Sequence, residues 1–236
     1  MEIDLKHVQF KHPSNTLVAG MSGSGKTQLM RRILKNHKLL FHNLKDEISV
    51  IWAYGQWHSF IDIQISDAIN ILYHEGIPTI ELIVKHKPDI IIIDDLMNEM
   101  NKDNSFENIF TKKSHHMNIS VFFLVQNLFY NAKSMRTVSL NCHYMILLKN
   151  PRDKSQVTTI ARQAYTDNMS YFTDSYSDAT LPAYGYIRMD STPDTDEKFR
   201  IMSRLAPEEN KGIFSPIVYL PKTKENITLK RRRGTL

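Results

Sequence analysis

The sequence predicts an α/β fold around a mostly parallel central sheet, and three observations carry that expectation. Short apolar runs alternate with helix-patterned or polar stretches over residues 15–165, the order expected of successive βα units. The run "DIIIIDD" at 89–95 is apolar at consecutive positions, which suits a strand covered on both faces. The octapeptide "GMSGSGKT" at 20–27 stands between one such run and a helix-patterned segment. That is the strand–loop–helix context of a phosphate-binding loop.

Taken in order, "NTLVAG" (15–20) reads as the first strand. Gly25 to about Lys38 reads as a helix with Leu29, Ile33 and Leu34 on one face. "ISVIWAYG" (48–55) is a second strand, followed by a mixed stretch containing "YHEGIPT". "DIIIID" (89–94) is the third, and a polar helix or loop follows through "NKDNSFENIFTKKSHH" (101–116). "ISVFFLVQN" (119–127) is a buried strand ending on an amide, and "HYMILLKN" (143–150) is the next, stopped by Pro151. "DKSQVTTIARQA" (153–164) reads as a helix with Asp153 as its N-cap. From Tyr184, "YGYIRMD", a turn at "STPDTDE" and "KFRIM" predict a hairpin or a final antiparallel pair. The organisation expected is one domain over 1–221, with a core at about 14–165 and a C-terminal β extension at about 184–221. A basic tail, 222–236, follows.

A chain of 236 residues with 42% hydrophobic and 23% charged residues can bury one substantial core and has the make-up of a soluble globular protein. No run approaches the ~18–20 apolar residues of a membrane span, so no membrane partner is expected. The opening "MEIDLKHVQF" lacks the basic-then-apolar layout of a secretory signal. The single cysteine, Cys142, cannot form an internal disulfide, which favours a reducing compartment. In "SLNCHY" it reads as a plain structural cysteine. The net charge of +5 is positional: residues 222–236 hold six basic residues and one acid, leaving 24 of each sign in 1–221. The body is neutral. The tail, ending "TLKRRRGTL", suits nucleic acid, a capsid lining, an import receptor or mere solubility.

"GMSGSGKT" matches G-x-x-x-x-G-K-[ST] in full, the Walker A pattern. Gly20, Gly23 and Gly25 permit dihedrals and close approaches that side chains would block. The backbone of Gly20, Met21, Ser22, Gly23, Ser24, Gly25, Lys26, Thr27 and Gln28 can then converge on phosphate oxygens at the positive end of a helix. Lys26 brings a point charge to the β- and γ-phosphates, and the Thr27 hydroxyl can ligate Mg2+. Asp94, ending the isoleucine strand, reads as the Walker B acid that holds the same ion. Asp95 can orient or deprotonate the attacking water, or simply cap a helix. Gln126, at the end of "SVFFLV", can bond both that water and the γ-phosphate as a sensor, or be a strand-end amide. No N-K-x-D guanine reader and no L-S-G-G-Q signature is present, which disfavours GTPases and ABC modules.

The segments "FTKKSHHMNISVFFLVQNLF" (110–129) and "RTVSLNCHYMILLKNPRDKSQVTTIARQ" (136–163) resemble the packaging ATPases of Polinton (Maverick) elements and adintovirus-like animal DNA viruses. These belong to the FtsK–HerA superfamily of P-loop translocases. "WAYGQWHSF", "LYHEGIPT" and "VYLPK" resemble the same group, so the similarity runs from about residue 14 to 222. The resemblance implies a RecA-like sheet in which the Gln126 strand lies between the P-loop strand and the Asp94 strand. It implies an ATP- and Mg2+-dependent motor, a homo-oligomeric ring of five or six subunits, that drives double-stranded DNA into a capsid at its portal vertex. Its location would be the host cell interior, nucleus or cytoplasm, or the virion, and not outside the cell. Lys26 and Thr27 map to the phosphate and metal positions, Asp94 to the metal acid, Asp95 to the catalytic acid and Gln126 to the sensor. Many members of the superfamily have Glu where this chain has Asp95, so Glu99 is a fallback base.

Such rings use an arginine from the neighbouring subunit to stabilise charge on the γ-phosphate. Arg136 is the preferred candidate. Arg152, beside Asp153, reads more readily as an ion-paired helix start. His115 and His116 do not share a helix face and suit a structural role better than a metal pair. Lys112 and Lys113 are the better DNA contacts, to phosphates rather than base edges. Two rivals remain: a slow ATP-dependent structural switch, and a small-molecule kinase, for which no acceptor or lid element is evident.

Overall fold

The computed structural model describes residues 5–55, 65–97, 117–128 and 138–221. Among them eleven strands run in chain order: β1 (Phe10–Lys11), β2 (Asn15–Ala19), β3 (Phe41–His42), β4 (Ile48–Tyr54), β5 (Ile69–Glu75), β6 (Ile90–Asp94), β7 (Ser120–Val125), β8 (Tyr144–Leu148), β9 (Tyr186–Asp190), β10 (Ile201–Ser203) and β11 (Ile217–Tyr219). The described α-helices are α1 (Lys26–Lys35), α2 (His37–Leu40), α3 (Ile80–His86), α4 (Ser155–Ala164) and α5 (Met169–Ala179). No helix of the described residues is long and apolar enough to cross a membrane.

Nine strands form one sheet in the order β11-β10-β9-β8-β2-β7-β6-β4-β5. The pairings from β8 through β5 are all parallel, whereas β9, β10 and β11 join antiparallel. This is a RecA-like P-loop α/β fold with an antiparallel C-terminal extension. The Gln126 strand, β7, lies between β2 and β6, as the family resemblance implies.

Side chains of β6 divide between two cores because successive residues face opposite sides of a sheet. Ile91 and Ile93 join one apolar cluster, Ile90 and Ile92 the other. Helix α1 covers the second face with Leu29, Met30, Ile33 and Leu34. Helices α4 and α5 cover the first with Val157, Ile160, Phe172 and Tyr176. Burial of β6 and β7 is complete along their length, which is why both read as unbroken apolar runs.

Several elements differ from the sequence expectation. Helix α1 stops at Lys35 rather than about Lys38: Asn36 leaves helical geometry at φ −101° and ψ 23°, and both its backbone N–H, at 3.1 Å, and its side-chain amide, at 2.9 Å, donate to the Arg32 carbonyl. The mixed stretch after β4 contains β5, an edge strand paired with β4 and largely half-buried. It needs no continuous apolar run, so periodicity gives no signal. Helix α5 also went unanticipated. At α4 the N-cap position falls on Lys154, yet it is the Asp153 carboxylate that accepts from the Ser155 N–H at 2.9 Å. Cys142 is buried and donates to the Ser139 carbonyl at 3.1 Å, and burial pushes its thiol pKa up to about 12. That is an inert structural thiol. The polar stretch 101–116 and the tail 222–236 lie outside the described residues.

The N-terminal arm is tied to the extension by Arg188, fully buried in β9. Its guanidinium donates to the Val8 carbonyl at 2.7 Å and sits 5.2 Å over the Phe10 ring and 5.4 Å over the Tyr144 ring. Flat aromatic faces suit this weakly hydrated cation.

Ile92, with no exposed surface, reports on the sheet. Ile92→Ala should lower the unfolding free energy by about 2–5 kcal/mol, seen as a lower urea midpoint at unchanged slope; a loss near zero would mean the centre of the sheet is not the packed element described.

Candidate functional site

Three loops leave the carboxyl ends of β2, β7 and β6, which are neighbours in the sheet. Register sets their relative height: Leu124 of β7 is level with Val18 of β2 and with Asp94 of β6. Asp94 and the start of the phosphate loop are therefore two strand spacings apart, about 10 Å. The Gly20 N–H donates to the Val125 carbonyl at 3.1 Å, so the β2–β7 ladder continues into the loop.

The loop then turns into α1. Gly25 is its N-cap, with φ of 99° and no side-chain cap bond, and the first turn holds no acid. A Cβ at Gly25 would be strained by that φ and would meet the Tyr184 ring at 3.1 Å. Lys26 donates to its own loop, to the Gly20 carbonyl at 2.6 Å and the Met21 carbonyl at 3.2 Å. Thr27 Oγ1 lies 3.4 Å from Asp94 Oδ2, long for a hydroxyl–carboxylate bond. Ser24 is buried and its hydroxyl has no partner, while Met21, Ser22, Gly23 and Gln28 lie at least partly open to solvent.

Electrostatics bind these groups into one site. Burial lowers the Lys26 pKa, opposed by the charges of Asp94 and Asp95. Burial raises the Asp94 pKa, opposed by Lys26 and then reinforced by Asp95. The Trp52 indole N–H, buried without a hydrogen bond of ordinary geometry, lies close enough to lower that pKa slightly. Lys26 forms no salt bridge with either acid among the described residues.

Asp95 is exposed, in a left-handed backbone with φ of 57°. Its Oδ1 accepts from Gln126 Nε2 at 2.8 Å, which joins the two residues assigned to water and to sensing. The helix-cap alternative for Asp95 depends on residues from 98 onward, outside the described residues. Gly55, at the end of β4, was missed by sequence reasoning. A Cβ there would come within 2.7 Å of the Asp95 carbonyl oxygen, so only glycine leaves room for that backbone. Tyr184 and Trp52 were likewise missed as site residues, although Trp52 opens the segment "WAYGQWHSF".

Arg152 is exposed and is not ion-paired with Asp153 as expected. The Asp153 carboxylate is taken by the Ser155 backbone and by Gln156 Nε2 at 2.8 Å, while the Arg152 backbone N–H donates to Asn150 Oδ1 at 3.1 Å. Arg136, Glu99, Lys112, Lys113, His115 and His116 lie outside the described residues.

These residues fit a nucleotide's phosphates with a divalent cation. An unpaired buried hydroxyl, an uncapped helix start and a lysine turned on carbonyls all offer donors to an anion. Thr27 and Asp94 form the hard-oxygen pair that would hold Mg2+, and such an ion would relieve the desolvation that raises the Asp94 pKa.

Two outcomes follow. Gly55→Ala should displace Asp95 and lower kcat by about tenfold or more, a 1.4 kcal/mol change in barrier, with little change in KM; unchanged steady-state kinetics would remove Gly55 from the site. The raised Asp94 pKa has opposite effects on the bare fold and on metal binding. Protonated Asp94 favours the ligand-free fold below the unfolded carboxylate pKa, and that contribution fades as pH rises through the folded value. Mg2+ needs the ionised form. The Mg2+-dependent part of nucleotide stabilisation in thermal melts should therefore decline on acidification before the ordinary carboxylate range is reached. Asp94→Asn should abolish it at every pH.

No family model matches the chain. No curated protein matches it. Solved structures do show similarity. The genome packaging NTPase B204 from Sulfolobus turreted icosahedral virus 2, in complex with ATP-gammaS, superposes with a TM-score of 0.49 at 13% identity, covering 89% of this chain and 97% of that one. Its complex with AMP gives 0.49 at 12%, covering 89% and 98%. The flagellar accessory protein FlaH from Methanocaldococcus jannaschii gives 0.42 at 14%, covering 58% and 72%. These overlaps are too loose to assign an activity, which rests on the site's own geometry.

Proposed function

We propose that this chain is an ATP-hydrolysing motor that translocates double-stranded viral or transposon DNA into a capsid. Nucleotide hydrolysis is carried by one arrangement: Thr27 stands 3.4 Å from Asp94 at the end of the phosphate loop, while the next residue, Asp95, is bonded to Gln126 on the intervening strand. Support for the DNA-packaging part is the resemblance of 110–129 and 136–163 to Polinton and adintovirus-like packaging ATPases, in which S-H-H, Q-N-L-F, S-L-N and K-N-P-R-D keep order and spacing.

In this reading Lys26 exchanges the Gly20 and Met21 carbonyls for β- and γ-phosphate oxygens, and its partly desolvated charge pulls harder on an anion than it would in water. The N–H groups at the start of α1 hold the same oxygens. Thr27 and Asp94 hold Mg2+, which when bound offsets the negative charge between the two phosphates. Gln126 orients the attacking water through its free amide oxygen, and Asp95 accepts the proton on Oδ2, the carboxylate oxygen that the Gln126 bond to Oδ1 leaves open. An arginine from a neighbouring subunit, Arg136 or the exposed Arg152, meets the γ-phosphate. The assembly is a five- or six-membered ring acting at a portal vertex inside the host cell or virion.

The Gln126–Asp95 bond also favours a second reading, a slow nucleotide-dependent switch whose acid is held by its own sensor. Turnover with and without double-stranded DNA decides between them. A motor accelerates severalfold with DNA; a switch stays slow. Lys26→Ala should cost about 10²-fold or more in turnover, and hydrolysis at the wild-type rate in that variant would refute both readings.

A further inference from the structure

A cavity of about 340 Å³ opens beside the phosphate loop, lined by Arg32 of α1, Tyr184, Arg204, Glu208 and Glu209. Its volume is within the range of ~300–1,000 Å³ typical of small-ligand clefts. Tyr184 joins it to the loop, since its ring packs against Gly25, the last loop glycine. Tyr184 as a whole is 62% exposed, and its backbone holds φ of 59°, a left-handed conformation that is unusual for a bulky residue. Core packing therefore gives no reason for an aromatic here.

The rest of the cavity lies at a fitting distance. Arg32 follows Gly25 by seven residues, about 10 Å of helix rise on nearly the same face. Its guanidinium donates to Glu209 Oε1 at 3.3 Å. Glu209 Oε2 accepts from the Tyr186 hydroxyl at 2.8 Å and the Ala206 N–H at 3.0 Å, which fixes that carboxylate. Glu208 is held by Lys35 at 3.1 Å and by Asn36 at 2.9 Å. One wall is thus an open aromatic face and the other a set of anchored acceptors with a guanidinium.

We infer that this cavity holds the ribose and base of the nucleotide whose phosphates bind residues 20–27, with Tyr184 stacked on the base. The inference rests on the phosphate reading of that loop. Stacking tolerates any base face, and the carboxylates suit an edge bearing an amino donor, such as the adenine 6-amino group.

Calorimetric titration of the full chain with two probes, Mg2+–ATP-gammaS and Mg2+–tripolyphosphate, separates base from phosphate binding. Tyr184→Ala should weaken ATP-gammaS by about tenfold or more and leave tripolyphosphate unchanged, and Tyr184→Phe should keep wild-type affinity for both. Unchanged ATP-gammaS affinity in Tyr184→Ala would overturn the base site. So would an equal loss of both probes, which would make Tyr184 a prop for the loop. Lys26→Ala should weaken both probes in parallel; if it weakens neither, the phosphate assignment fails and the base site falls with it.

Discussion

Parallel pairing of β7 with β2 on one side and β6 on the other is the constraint on which the rest depends. Strands in a sheet stand a fixed distance apart, so this order decides how far the phosphate loop must reach to meet Asp94. The helix that follows the loop packs on the same face as Ile90 and Ile92, and Asp94 shares their side of β6 by alternation. Reversing the order of two strands, or slipping one by a residue, would keep the fold apolar inside and destroy the site. The isoleucines are thus not only core. They hold an acid at a set height.

Desolvation gives the site its tension. Lys26 and Asp94 are both drawn out of water, and each has its pKa moved toward the neutral form despite the other's charge. Such groups weaken the bare fold, because neither is fully compensated by the partner. They are compensated when an anion and a cation arrive together, so binding strength is stored as instability of the empty site. Ser24, with its buried and unpartnered hydroxyl, belongs to the same economy.

The Asp95 side of the site is built differently. Asp95 is exposed, held by a left-handed backbone, by the Gln126 amide and by the room that Gly55 leaves for its carbonyl. Three separate strands, β4, β6 and β7, meet at that one residue. A side chain positioned by backbone geometry and one hydrogen bond can change partners cheaply, which a buried ion pair cannot. The contrast between a tense Lys26–Asp94 half and a loosely held Asp95 half suits the proposed function, in which nucleotide binding precedes hydrolysis.

From sequence alone, the central strands and the phosphate loop were legible. Burial on both faces demands uninterrupted apolar residues in β6 and β7, and a phosphate turn demands glycines and a lysine in a set order; both are local requirements that leave local patterns. The acids at the end of β6 were readable for the same reason. Edge strand β5 was not, since a strand paired on one side tolerates polar residues. Gly55, Trp52, Tyr184 and Arg188 were not either, nor was the release of Arg152 from Asp153. Each depends on atoms from a distant part of the chain arriving within a few ångströms, and such encounters impose no period or spacing on the sequence. Only the tertiary structure decides them.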